Sequence, residues 1–184
     1  GVKGTPDAAN GGSDLTDAAI NEIAKKLAAG LSFKMDIDGV NYEIVQNPDG
    51  TLAIKFATTT DTKVVIPDVI KIGDKIYRIT EVYEKAFKDN TTLKEVTISQ
   101  NVSKIGNSAF EGCTNLEKVT LKEGLITIGD KAFKGCSSLT SITMPATLQK
   151  IGNYAFENCT KLKTVKLNEG LLTIGKKAFY NCKA

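Results

Sequence analysis

Four cysteines, Cys113, Cys136, Cys159 and Cys182, are the residues of this chain whose type best suits chemistry, and each follows the last by 23 positions. Thiolates hold zinc when they converge on one point, typically from paired C-x-x-C spacings. One cysteine every 23 residues instead describes a straight ladder, so no metal centre is expected. Neighbouring rungs lie within reach of a disulfide, but side chains stacked in parallel register point the wrong way for one. What remains is a row of buried free thiols serving as small apolar groups. Acid-base and nucleophilic catalysis have as little to work with. The chain has no histidine, which removes every Ser-His and Cys-His pair. Glu123 and Glu169 recur beside Gly124 and Gly170, as turn residues do. The Ile-Gly dipeptides are spaced for a repeat and not for a phosphate-cradling loop. The chain is therefore read as non-enzymatic, with no cofactor.

The elements that would position these residues are themselves periodic. Ile105-Gly106-Asn107-Ser108-Ala109-Phe110-Glu111-Gly112-Cys113 returns at Ile128–Cys136, Ile151–Cys159 and Ile174–Cys182, with a degenerate first copy at Val82–Asn90. Phe87, Phe110, Phe133, Phe156 and Phe179 mark the 23-residue period, which is the signature of a solenoid. Val96, Val119, Ile142 and Val165 alternate with polar residues, predicting a short strand with one buried face in each coil. Asn107, Asp130 and Asn153 stand where a helical or 3-10 turn would be N-capped. Asp89, Gly112, Gly135, Asn158 and Asn181 stand where that turn must stop, in left-handed backbone. Gly106 reads as a tight turn.

Ahead of the repeats the period differs. Residues 1–13 are rich in Gly, Pro and Ala and read as a disordered tether. Ser13 reads as the cap of an amphipathic helix over about 14–29, ended by Gly30. Leu31, Phe33, Met35 and Ile37 then alternate with polar residues, Asp38-Gly39 signals a type I′ hairpin, and a third strand carries Leu52, Ile54 and Phe56. Val64-Val65-Ile66-Pro67 resembles the strand of a repeat, and Gly73–Thr80 an inserted hairpin. A solenoid needs its first coil covered, so residues 14–81 are expected to be a helix and β-hairpin cap. The array occupies 82–184, in five copies, the last incomplete.

This pattern, Leu-x-x-Val-x-Leu followed by Ile-Gly-x-x-Ala-Phe-x-x-Cys, resembles the BspA-type leucine-rich repeat. The resemblance implies an α/β leucine-rich-repeat solenoid: a right-handed coil with a short parallel β-sheet, short helical or 3-10 turns, and an N-terminal helix and small antiparallel cap. It also implies a secreted or cell-surface bacterial protein that binds a host matrix protein or another cell-surface partner, with a signal or anchor upstream. The alternative is a structural spacer that self-associates weakly through its open C-terminal edge. The solvent side of the strands is the candidate binding face: Glu95, Thr97, Ser99; Lys118, Thr120, Lys122; Ser141, Thr143; Thr164, Lys166 and Asn168. It is polar and lacks aromatic anchors, which suits a broad protein contact better than a small-molecule pocket. Residues 1–81 hold 9 basic and 12 acidic side chains, and residues 82–184 hold 15 and 9, so the array is the basic part. Its lysines are dispersed and Arg78 is the only arginine, so nucleic acid is not the expected partner. No run is long and apolar enough for membrane insertion.

Overall fold

The structure, a computed structural model, describes residues 15–184; the tether and the Ser13 cap fall outside the described residues. Helix α1 runs Asp17–Ala28 and starts at Thr16, whose hydroxyl accepts the Ala19 N–H at 3.1 Å. Thr16 directly precedes the apolar-periodic residues, which places the start three residues later than the Ser13 reading. Ile23 is buried and Ile20 and Leu27 pack beside it, so the apolar stripe docks on the chain's own core. Among the described residues no helix is long and apolar enough to cross a membrane.

Strands β1 (Phe33–Ile37) and β2 (Val40–Gln46) form the expected hairpin, with Asp38 and Gly39 both left-handed at φ 52° and 86°. Strand β3 (Leu52–Thr58) pairs antiparallel with β2 through a register shift at Glu43/Ile44. That bulge moves the inward set by one residue. Ala57 is buried and Phe56 exposed, the reverse of the simple alternation. Leu31 precedes β1 and is exposed rather than part of the buried row.

From here the chain stacks in layers. Strand β4 (Lys63–Val65) pairs in parallel with β7 (Glu95–Thr97), and β7 with β9 (Lys118–Thr120). The hairpin β5 (Val69–Ile72) and β6 (Lys75–Val82) splices the cap to the array, because β6 pairs with β5, with β3 and with β8 (Lys104–Ile105). A second parallel ladder continues through β10 (Thr127–Ile128), β12 (Lys150–Ile151) and β14 (Thr173–Ile174). Strands β11 (Ser141–Thr143) and β13 (Thr164–Lys166) pair with each other. Each layer thus holds two short strands where the sequence pattern predicts one. Counted from the strand, the five layers are β4/β6, β7/β8, β9/β10, β11/β12 and β13/β14, each followed by its Ala-Phe turn.

That turn is not helical. In layer 2, Ala109 N–H bonds Gly106 O, Glu111 N–H bonds Ser108 O, and Cys113 N–H bonds Phe110 O, each at 3.2 Å. The intervening N–H groups of Ser108, Phe110 and Gly112 donate to Asp130, Ala132 and Lys134 of the next layer at 2.7–2.8 Å. A helix would use every N–H internally; chained turns leave alternate donors for the neighbour. Two left-handed residues per turn enforce this. One is the anticipated stop at Asp89, Gly112, Gly135, Asn158 and Asn181. The other, at Lys85, Ser108, Lys131, Tyr154 and Lys177, is never glycine although φ lies between 52° and 60°. Lys131 is exposed and its backbone N–H, which bonds Asn153 O, survives substitution. Lys131→Gly is therefore expected to stabilise the protein by up to about 1 kcal/mol through relief of the left-handed penalty. A thermal melt checks this, and a lower melting temperature would refute it.

Candidate partner-binding face

The strand face is held in register by backbone pairing. Lys63, Glu95 and Lys118 form one row and Val65, Thr97 and Thr120 the next. Ser141 aligns with Thr164, and Thr143 with Lys166, in a separate two-strand ladder. Lys118, Lys122, Ser141, Thr143, Thr164 and Lys166 are exposed, and Glu95, Thr97 and Thr120 half-exposed. Two residues of the expected face point elsewhere. Ser99 is buried and donates its hydroxyl to Pro67 O at 3.3 Å, because the cap abuts layer 2 there. Asn168 turns its amide back to Ala146 O (3.2 Å) and Leu148 O (2.8 Å), tying layer 5 to layer 4.

Strand β4 adds two residues that the sequence reading left out of the face, Lys63 and Val65. The signal was present in Val64-Val65-Ile66: a strand of the repeat kind puts Val65 in the threonine row. Val65 is 60% exposed, a large apolar side chain beside the polar and charged outward residues Lys63, Glu95, Thr97, Lys118 and Thr120 of the same ladder. Lys63 lies 3.8 Å from Glu95 in the neighbouring strand, an exposed pair that contributes little to stability and mainly sets the local charge pattern.

The other rows build the scaffold. Each thiol donates to the phenylalanine carbonyl of the preceding layer, Cys113 to Phe87, Cys136 to Phe110, Cys159 to Phe133 and Cys182 to Phe156, at 3.2–3.3 Å. Burial pushes the Cys113 and Cys159 thiols up to about 12 and Cys136 well above its ordinary range. Kept protonated and already hydrogen-bonded, they lack the thiolate that attack or metal ligation requires. Asn107, Asp130 and Asn153 do not cap a helix. Each side-chain oxygen accepts an N–H of the next layer, from Asp130, Asn153 and Lys176, at 2.8 Å. Glu123 accepts the Ala146 N–H at 3.2 Å, a turn contact. Of the tyrosines that break their rows, Tyr83 donates to Asn47 at 3.3 Å, while Tyr154 and Tyr180 lie 5.4 and 5.0 Å from the amines of Lys176 and Lys177.

Comparison with known proteins gives the same stretch a family. Residues 80–184 match the BspA type leucine rich repeat region, in six copies. A leucine rich repeat protein of T. pallidum is 34% identical with a TM-score of 0.73, over 77% of this chain and 64% of that one. A leucine rich cell surface protein of Faecalibacterium prausnitzii is 25% identical, with a TM-score of 0.62 over 80% of this chain and 46% of that one. The pneumococcal vaccine antigen PcpA is 26% identical, with a TM-score of 0.63 over 81% and 42%. The chain spans less than two thirds of the first of these structures and less than half of the other two. No curated protein matches it.

Proposed function

Because this chain belongs to the BspA type leucine-rich repeat family, we propose that it is a non-enzymatic protein-interaction module of a secreted or cell-surface bacterial protein. Its partner is a host matrix protein or another cell-surface protein, engaged along the strand face from Val65 and Lys63 to Thr164 and Lys166. Residues 14–81 act as the cap of the array in this reading, not as a separate functional domain.

The observation that carries the proposal is the division of labour within each layer. Cysteine, phenylalanine, asparagine and glycine rows are all engaged in stacking, whereas the strand-face side chains of Lys118, Ser141, Thr143, Thr164 and Lys166 are exposed on a backbone-bonded support. A rigid ladder lowers the ordering cost of binding. The surface context is supported by the cell surface protein of F. prausnitzii and the pneumococcal antigen among the similar structures.

Reversing Lys118, Lys122 and Lys166 to glutamate tests the face. Binding to an immobilised extracellular-matrix extract is expected to fall about tenfold at low salt, and the difference to shrink as salt screens the exposed charges. These side chains are exposed, so the melting temperature should stay close to that of the parent. Undiminished binding by the folded triple variant would remove the strand face from consideration.

A further inference from the structure

Strand β1 of the cap pairs with β2 on one side and with no other described strand. The two-residue Asp38-Gly39 turn makes Ile37 and Val40 a hydrogen-bonded pair, and the alternation of an antiparallel ladder fixes the rest. Phe33, Met35 and Ile37 turn their backbone groups to β2, whereas Lys34 and Asp36 turn theirs outward. The N–H and C=O of these two residues have no partner among the described residues. Strand β1 stands between α1 and β2 in the chain, so this opening follows from the hairpin register and not from the end of the array. Beside it runs a groove of about 610 Å³, walled by β1 and by Ala19, Glu22, Ile23 and Lys26 on one face of α1. Phe33, Met35 and Ile37 are buried against the cap core, which holds the edge rigid. Lys34 and Asp36 are exposed. Asp36 accepts the Asn41 amide at 2.6 Å, and Lys34 has no ion pair among the described residues.

The run Phe33-Lys34-Met35-Asp36-Ile37 is complementary to itself when reversed. A two-fold axis through Met35 sets Lys34 opposite Asp36 of an antiparallel second copy, and Asp36 opposite its Lys34. These are also the residues whose backbone groups point outward, so each opposed couple would exchange both N–H···O bonds. Met35 would meet its own copy at the axis as a non-hydrogen-bonded pair, with both side chains on the buried face. Charge and hydrogen-bond alternation are independent requirements, and one register meets both. An axis through Lys34 or Asp36 would oppose like charges, and an in-register parallel pairing would set lysine beside lysine. An edge guarded by lysines alone repels its own copy; this one carries a charge of each sign. We propose that the chain forms a two-fold dimer by antiparallel pairing of β1 with β1 of a second copy, the incoming strand seated in the groove beside α1. The cap sheet then runs through both molecules, and two arrays are offered to one target. This inference rests on the cap and is independent of the strand-face reading.

Sedimentation velocity of the 184-residue chain across a concentration range tests the dimer, with the two edge charges as the handle. D36K leaves only positive charge on this edge and K34D only negative. Each alone is expected to weaken dimerisation at least about tenfold, since both opposed pairs become repulsive. Mixing the two variants should restore a dimer, because every opposed pair is then of opposite sign. The double variant K34D/D36K, which exchanges the charges, should dimerise like the parent. It lacks the same Asn41 contact as D36K, so a monomer seen in D36K and not in the double variant is an effect of charge. The Lys34 and Asp36 amide protons are expected to exchange with solvent at least about tenfold more slowly at high concentration than at low. A chain that stays monomeric at its highest soluble concentration would overturn the proposal. So would a dimer that neither single variant weakens, or a mixture of the two that stays monomeric. Slow exchange of both amides at every concentration would show that a segment of the same chain covers the edge, and would overturn it equally.

Discussion

Phe133→Ala is expected to lower stability by about 3–5 kcal/mol, the cost of truncating a fully buried aromatic. The side chain is completely inaccessible. Its ring lies between Phe110 and Phe156, with centroids 5.2 Å away on both sides and interplanar angles of 2° and 9°. Truncation therefore opens a cavity and removes two stacking contacts, each contributing about 0.5–1.5 kcal/mol beyond area burial. Position matters as much as chemistry. A repeat array is stabilised by each layer's contact with its neighbours, and Phe133 belongs to the middle layer. Among the described residues Phe179 stacks on Phe156 alone, 5.3 Å away, and is only partly buried. Phe179→Ala should cost less than half as much. For a chain of this length the Phe133 change corresponds to a melting-temperature loss of about 6–20 °C. Calorimetry on the two variants side by side checks both claims; equal losses would show that stacking between layers is not what Phe133 supplies.

The phenylalanine row was legible because burial is a property of a position, and a 23-residue period makes positions equivalent. For the same reason the cysteine row, the left-handed stops and the Asp38-Gly39 hairpin can be read directly from residue type. What resists reading is the identity of the partner. Asn107 looks like an N-cap because a short polar residue ahead of a turn usually bonds within its own turn; here its partner is one layer away. Ser108, Lys131 and Tyr154 hide a left-handed backbone, since no glycine marks it and the strain is offset by bonds to the next layer. The Lys-Ile and Thr-Ile dipeptides of the second ladder are too short to show alternation. Ser99 and Asn168 share a row with Lys122, which is exposed, but they meet different surroundings. Ser99 faces the cap, and Asn168 finds free carbonyls beside Pro145, a residue that has no N–H to offer. The row was thus visible in the sequence, and which of its side chains reach solvent depended on what each end of the row touches.

Gly152→Ala puts the same distinction to its severest test. Gly106, Gly129, Gly152 and Gly175 have unexceptional φ, so a tight turn does not explain them. Their constraint is contact between layers. A Cβ on Gly152 would sit 2.5 Å from the Asp130 nitrogen and carboxylate oxygen and 2.6 Å from the Gly129 carbonyl carbon. Two of those are backbone atoms of the layer below and the third is a side-chain oxygen of that layer, all fixed by the Gly152 N–H to Ile128 O bond and by the Asp130 acceptance of the Asn153 N–H, each 2.8 Å. Relief requires the layers to part and both bonds to lengthen, so the cost should reach or exceed the roughly 3 kcal/mol upper range for overpacked sites. The exception in the row, Tyr83, agrees with this, because beneath it lies β3, to which it donates through Ile54 O, and not a repeat turn. Gly135 is glycine for a different reason. Its φ is 76° and an added Cβ would meet nothing nearer than 3.7 Å, and asparagine occupies the equivalent place in layers 4 and 5. Gly135→Asn is accordingly expected to change stability by less than about 1 kcal/mol, since asparagine tolerates left-handed backbone. Denaturant unfolding of the two variants separates the causes. If Gly152→Ala melts no earlier than Gly135→Asn, close approach of the layers is not what the Ile-Gly repeat encodes.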